Sequence, residues 1–377
     1  MKFLLRYFFV VFAAFSGACA IAQTTVNPIR VGIMLPLHDN DGDGRRMIEY
    51  YRGFLMAVED LKRQGTSVDV HAWNVPQDGD IVKTVMNNNE TNKCDIIFGP
   101  LYSSQVKPLS YYCKGGDMKM VIPFSITSNE VSSNPNIFQI YQTPQELNSS
   151  AIYAFLNQFK NAHAVFVDCG DASSKKGVFT GGLRKKLEER GVKYSITSLK
   201  TSPDNFAGSF AKDKPNVVVL NTGRSPELTA VLNKLDTYCA QYPNTKISLY
   251  GYSDWLMYER YNIDRFFRYD TYIPSDSYFN ASDDKTIELE RRYRNNFHED
   301  MTLAFPRFAI TGYDQAMFFI QGLSKYGRNF TGNYIQNTYH SVQTPFKFNK
   351  VSNGGYRNRH FQLVHYRADH KMESINY

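Results

Sequence analysis

Short apolar runs and helical apolar repeats alternate along almost all of this chain, and no other feature limits its fold so strongly. Residues 29–37 read IRVGIMLPL, an apolar run broken by proline, as a strand buried on both faces would be. Over 47–64 the residues Met47, Tyr50, Tyr51, Phe54, Leu55, Val58 and Leu61 recur with helical spacing, and Gly65 marks the stop. The same reading predicts strands over 67–75, 94–98 and 119–123, separated by helices over 81–86 and 104–112. A second series follows Gln139-Ile140-Tyr141, with helices over 146–159, 177–190 and 226–238 and strands over 162–168, 192–199, 217–221 and 246–251. Repeated strand–helix units build parallel sheets with helices on both faces. Two series broken near 141–146 imply two lobes. An extended segment over 271–279 and helices over 284–296 and 308–323 imply a return to the first lobe. The tail, 346–348 and 361–366 around Ser352-Asn353-Gly354-Gly355, is predicted to be a hairpin.

The N-terminus reads as an export signal. Lys2 and Arg6 precede the apolar run 7–15, and Ala20-Ile21-Ala22 fits the small-x-small rule for cleavage before Gln23. The run is too short for a membrane-spanning helix, which needs about 20 residues. A competing reading is lipidation at Cys19, but Ser16 stands where such signals usually carry leucine, so cleavage after residue 22 fits better. About 355 residues then remain, more than one ordinary domain and comfortable for two. Loss of Lys2 and Arg6 takes the formal net charge from +7 to +5, with the basic residues scattered, so nucleic acid is not an expected partner. Cys94, Cys113, Cys169 and Cys239 show no metal-ligand spacing. A Cys94–Cys113 bond is conceivable, since one residue opens a strand and the other closes the next helix. Three pairings stay open.

Several segments, in order, resemble the type I periplasmic binding proteins of the leucine/isoleucine/valine-receptor class. They are IRVGIMLPL followed by YYRGFLMAVEDLK, then DIIFGPLYSSQ, then MVIPFSITSNE with IFQIYQT, and finally FAITGYDQAMFFIQGL before FKFNKVSNGG. The resemblance implies two doubly wound α/β lobes joined by three crossover strands, with a ligand held between them at the carboxyl ends of the strands, where open parallel sheets bind. The expected division is 23–143 plus 273–336 for one lobe and 144–272 plus 337–377 for the other. It further implies a periplasmic location and a membrane permease or sensor as partner.

In the first lobe the resemblance places Ser103 or Ser104 at a ligand carboxylate, although a serine there also suits a helix N-cap. Ser125 and Thr127, in the loop after the fourth strand, match the family's hydroxyl-bearing loop, and such residues also favour turns. In the second lobe the likeness weakens. Candidates there are Arg224 as an anion partner, Tyr252 and Asp254 in a cleft loop, and Trp255 as a stacking ring, each with a plainer reading as surface or packing. Asp39-Asn40-Asp41-Gly42-Asp43-Gly44 opens like a calcium loop but has Tyr50 where the closing glutamate belongs, so it reads as a helix entry. No nucleophile elbow, Walker A loop, HExxH or GxGxxG occurs, so no enzyme and no cofactor are expected. The expectation is a binding or sensing protein for a small polar ligand. Its rival is a ligand-independent scaffold of the cell envelope, as in relatives of this fold that activate peptidoglycan synthases.

Overall fold

A computed structural model describes residues 27–124 and 128–377; the signal-peptide and Cys19 readings fall outside these residues, as do Ser125 and Thr127. The first run comprises β1 (Ile29–Leu35), α1 (Gly42–Arg63), β2 (Val68–Asn74), α2 (Ile81–Met86), β3 (Ile96–Phe98), α3 (Ser103–Lys114), β4 (Lys119–Ile122) and β5 (Ile137–Gln139). The second comprises α4 (Pro144–Gln158), β6 (His163–Asp168), α5 (Gly177–Glu189), β7 (Tyr194–Ser198), α6 (Pro203–Ala207), β8 (Asn216–Leu220), α7 (Ser225–Gln241), β9 (Ile247–Tyr250), α8 (Glu259–Arg268) and β10 (Thr271–Ser275). Then come α9 (Asp284–Phe297), α10 (Phe308–Tyr326), β11 (Phe348–Lys350), β12 (Tyr356–Asn358), β13 (Gln362–Tyr366) and β14 (Met372–Asn376).

The strands form two sheets of seven, ordered β11-β12-β5-β4-β3-β1-β2 and β14-β13-β10-β9-β8-β6-β7. Within each, the central strands are parallel, and antiparallel strands close one side. The chain therefore passes between the sheets three times, at 140–143, 276–283 and 359–361. Two α/β lobes with three crossovers are what the alternation and the resemblance predicted.

Three local devices set this geometry. Asp41 caps α1 by accepting the Gly44 N–H at 2.7 Å, so the aspartate-rich loop is a helix entry. Helix α4 starts on a capping box, with Pro144 at its first turn, the Thr143 hydroxyl on the Glu146 N–H and Glu146 reaching back to the Thr143 N–H. Helices α1 and α10 touch backbone to backbone: a methyl on Gly53 would sit 1.8 Å from the Ala309 carbonyl oxygen, and one on Gly312 2.0 Å from that of Tyr50. The contact brings the returning helix onto the first lobe, where Tyr313 and Arg292 both bind Asp60.

The tail departs from its expectation in two ways. Strand β11 does pair antiparallel with a partner across the Ser352–Gly355 turn, but the partner is β12, and β12 joins β5 of the first sheet. Residues 361–366 belong to β13, which lies between β10 and β14 in the second sheet. Assigning all of 337–377 to the second lobe is thus corrected for β11 and β12, and β10 keeps the chain in the second sheet through Ser275. In β12, Arg357 donates to Gln139 of β5, the strand that β12 joins. It is buried in the short β12, and Glu146 at 2.7 Å neutralises it.

Candidate functional site

The crossovers sit together. The Gln142 amide of the first donates to the His360 carbonyl of the third at 2.8 Å, and Glu146 binds Arg357 and Arg359 at 2.7 and 2.5 Å. Burial pushes the Glu146 carboxyl up, but the Thr143 N–H and the Arg357 guanidinium outweigh it and hold the group at about 2.

On the first lobe, Ser103 and Ser104 open α3 and are exposed, but neither caps it: Tyr102 occupies the cap position without a side-chain bond to the helix. The Tyr102 hydroxyl instead donates to Asp43 at 3.2 Å, and Asp43 also binds Arg46 at 2.8 Å. The loops after β1 and β3 are thereby joined. Phe124, two residues past the end of β4, meets Tyr50 edge-on at 5.4 Å.

On the second lobe the candidate polar groups face one another. Lys176 binds Asp254 at 2.6 Å and holds its ammonium 4.7 Å from the centre of the Tyr252 ring. Arg224 is exposed, 3.7 Å from Asp171 and 3.5 Å from Glu227, while Asp171 accepts the Thr222 and Ser173 hydroxyls at 2.7 and 2.6 Å. The Tyr252 hydroxyl is used inside, donating to the Leu220 carbonyl at 2.5 Å. Trp255 is a correction: it is 0% exposed and stacked on Phe266, so it is a core ring and offers no face to a ligand. The turn over 253–258 folds it back against Gly251, where a side chain would collide with it.

Sequence reasoning missed the carboxylate that remains. A pocket of about 190 Å³ lies at the carboxyl ends of β9 and β10. Its walls include Asp276 and Phe361 of the second and third crossovers and Pro144, directly after the first, with Lys176, Tyr252 and Ser253 from the second lobe. Among the described residues no basic side chain pairs with Asp276, whose bonded neighbour is the Ser277 hydroxyl at 3.3 Å. Burial raises its pKa above the ordinary aspartate value. The one available signal was position, an Asp directly after the strand-like 271–275. Lys176 stands beside Lys175 in a loop, with nothing in the sequence to set it apart. The four cysteines among the described residues are free, Cys94 and Cys113 being buried. No helix among these residues is long and apolar enough to cross a membrane.

The architecture is that of type I periplasmic binding proteins, as solved structures attest. A protein from Rhodospirillum rubrum assigned to branched-chain amino acid ABC transport superimposes with a TM-score of 0.62 at 16% identity, over 92% of this chain and 100% of the other. A branched-chain amino acid ABC transporter periplasmic ligand-binding protein from Burkholderia xenovorans gives 0.53 at 11% identity, covering 92% and 94%. An ABC transporter substrate-binding protein from Sphaerobacter thermophilus gives 0.52 at 12%, covering 93% and 97%. At such identities the likeness is one of fold. No family model matches the chain, and no curated protein sequence does either.

Proposed function

We propose that this is an exported, periplasmic solute-binding or sensing protein whose lobes, broadly 23–143 with 273–336 and 144–272 with 337–377 apart from the β10–β12 exchange, close on a small polar ligand and present the closed form to a permease or sensor. One observation carries the reading: a single pocket takes in residues of two crossovers and the residue directly after the first, and contains a carboxylate that has no cationic partner among the described residues. A ligand seated there would lie against two hinge crossovers and the start of α4 beside the first, so its binding energy would depend on the hinge angle, the condition for shifting an open–closed population. Uncompensated negative charge in a partly apolar pocket selects an amine. Ser103, Ser104, Ser125 and Thr127 would then meet the ligand from the first lobe, and Lys176 and Tyr252 would shape the wall of the second.

The rival reading, a ligand-independent envelope scaffold, draws on a different observation. Arg224 and Asp254 are already paired within their own lobe. Thermal-shift titration of residues 23–377 with amino acids, oligoamines, sugars and nucleosides separates the two. At a hundredfold excess over its dissociation constant a ligand adds about 2.7 kcal/mol of stability. The proposal requires an amine-bearing hit that Asp276→Asn weakens at least tenfold. Silence across the amines in wild type moves the assignment to the scaffold.

A further inference from the structure

A cavity of about 580 Å³ opens at the amino ends of β1, β3 and β4 and shares no residue with the candidate site. Its walls come from the start of β1, the turn between α3 and β4, and the carboxyl end of α10. All of them belong to the first lobe, so its shape does not follow the hinge.

Lys119 is the group there that the fold leaves unanswered. It opens β4, and alternation along the strand points it the same way as Val121, into the layer beneath α10. Only 6% of it is exposed, yet among the described residues its ammonium has no hydrogen-bond acceptor and no ion-pair partner; it faces the Phe138 ring, whose centre lies 5.6 Å away. A lysine so buried almost always has a counter-charge. The ammonium is nonetheless within reach of a ligand, because Lys119 stands in the cavity wall and its Nζ is not one of the partnerless polar atoms that the fold closes off from solvent.

The other charges in the walls are accounted for. Lys93 binds Glu90 at 2.7 Å, Arg328 binds Asp117 at 2.5 Å, and the exposed Asp95 accepts the Arg30 N–H at 2.9 Å. Burial pushes the pKa of Lys119 down, and Asp117 pushes it back from beyond ion-pair distance. Helices α3 and α10 both end here, where carbonyls lean negative, but the Cys113 and Gly116 carbonyls are taken by the Asn136 amide at 2.9 and 2.7 Å and that of Gly327 by the Phe330 N–H at 3.2 Å. Residues 1–26 and 125–127 contain no aspartate or glutamate, so they hold no side-chain carboxylate for Lys119 either.

A buried ammonium without a counter-charge selects an anion. The Asp95 carboxylate in the wall disfavours a second negative charge, and Ile29, Met118 and Leu323 offer apolar wall to an organic body. We infer that this cavity binds a small monocarboxylic acid, with its carboxylate on Lys119 Nζ and its carbon skeleton against Ile29, Met118 and Leu323. The site is separate from the amine pocket and does not depend on it.

The test is isothermal titration of residues 23–377 with acetate, butyrate and benzoate, in a chloride-free zwitterionic buffer at fixed ionic strength. At least one acid should bind, weakened tenfold or more by Lys119→Met and by Lys119→Gln, and unchanged by Asp276→Asn. Both Lys119 variants remove a buried charge that has no partner, so the thermal midpoint without ligand should hold or rise, and circular dichroism checks the fold. The inference is overturned if none of the three acids binds the wild type, in which case the ammonium is met by water alone. It is equally overturned if either uncharged variant binds the acid as tightly as the wild type does.

Discussion

Replacing Asp314 by asparagine should be among the costliest single-atom changes available to this chain. One carboxylate oxygen accepts the Tyr339 hydroxyl at 2.7 Å and the Val342 N–H at 2.8 Å; the other accepts the N–H groups of Gln343 and Thr344 at 2.8 and 3.0 Å. All four partners are donors, and the side chain is 0% exposed. An asparagine keeps one accepting oxygen and turns an NH2 toward two donors, so two buried groups lose their partner whichever way the amide lies. At about 1–3 kcal/mol for each unsatisfied buried donor, the loss is about 2–6 kcal/mol. The damage should be local first, because Asp314 is what fastens residues 339–344 to α10. Hydrogen exchange at Val342, Gln343 and Thr344 should accelerate roughly thirtyfold or more, since 2 kcal/mol is about a factor of 30. Urea unfolding should show the matching fall in midpoint. Tyr339→Phe, which removes one donor and orphans nothing, should cost only about 1 kcal/mol. If asparagine left both the exchange of 342–344 and the urea midpoint unchanged, the reading of Asp314 as the fastening point would be wrong.

Glu146 gives a pH prediction with a definite sign. Its folded pKa, about 2, lies below the ordinary 4.5, so its contribution is fully present above the ordinary value and is lost as pH falls toward 2. The shift corresponds to on the order of 3 kcal/mol, and Glu146→Gln should flatten the acid limb of a stability–pH profile while costing about 2–4 kcal/mol at neutral pH by removing the counter-charge of Arg357. Gly53→Ala puts a methyl 1.8 Å from the Ala309 carbonyl oxygen and should separate α1 from α10 at a cost of about 3 kcal/mol or more, read by thermal unfolding. Burial pushes the Cys94 and Cys113 thiols up to about 12, so both should resist alkylation at pH 8 in the native state and react once unfolded. Mass spectrometry after denaturing alkylation without reductant should find both labelled, and a pair left unlabelled would reveal a disulfide.

The elements that sequence disclosed are those whose cause is local. The run 31–35 is a buried parallel strand because it holds no polar side chain and is buried on both faces, with half-buried Arg30 at its edge. The Asp41 and Thr143 caps lie within three residues of the N–H groups they satisfy. The tail shows the limit. Tyr356–Asn358 lies in the stretch between the two predicted arms, and it becomes a strand of the first sheet by pairing with β5, where Arg357 donates to Gln139, 218 residues earlier. No window along the chain contains that pairing.

The same limit explains why the candidate site shifted within its own loops. Asp254, Arg224 and Trp255 were sensible choices as polar or aromatic residues beyond strand ends. What a group can offer a ligand, however, is what the fold leaves unused. Lys176 takes Asp254 from 78 residues away, Asp171 lies against Arg224, and the core takes Trp255, whereas Asp276 emerges uncompensated. Binding capacity is a remainder after tertiary pairing, and a remainder cannot be read before the pairs are known. Double-mutant cycles make the argument quantitative. Lys176→Met with Asp254→Asn should show coupling of about 0.5–1 kcal/mol for this half-exposed pair, while Lys176→Met with Asp276→Asn should be additive in stability yet non-additive in ligand affinity. Strong stability coupling between Lys176 and Asp276 would mean that Asp276 is compensated after all, and that the amine pocket has no charge to offer.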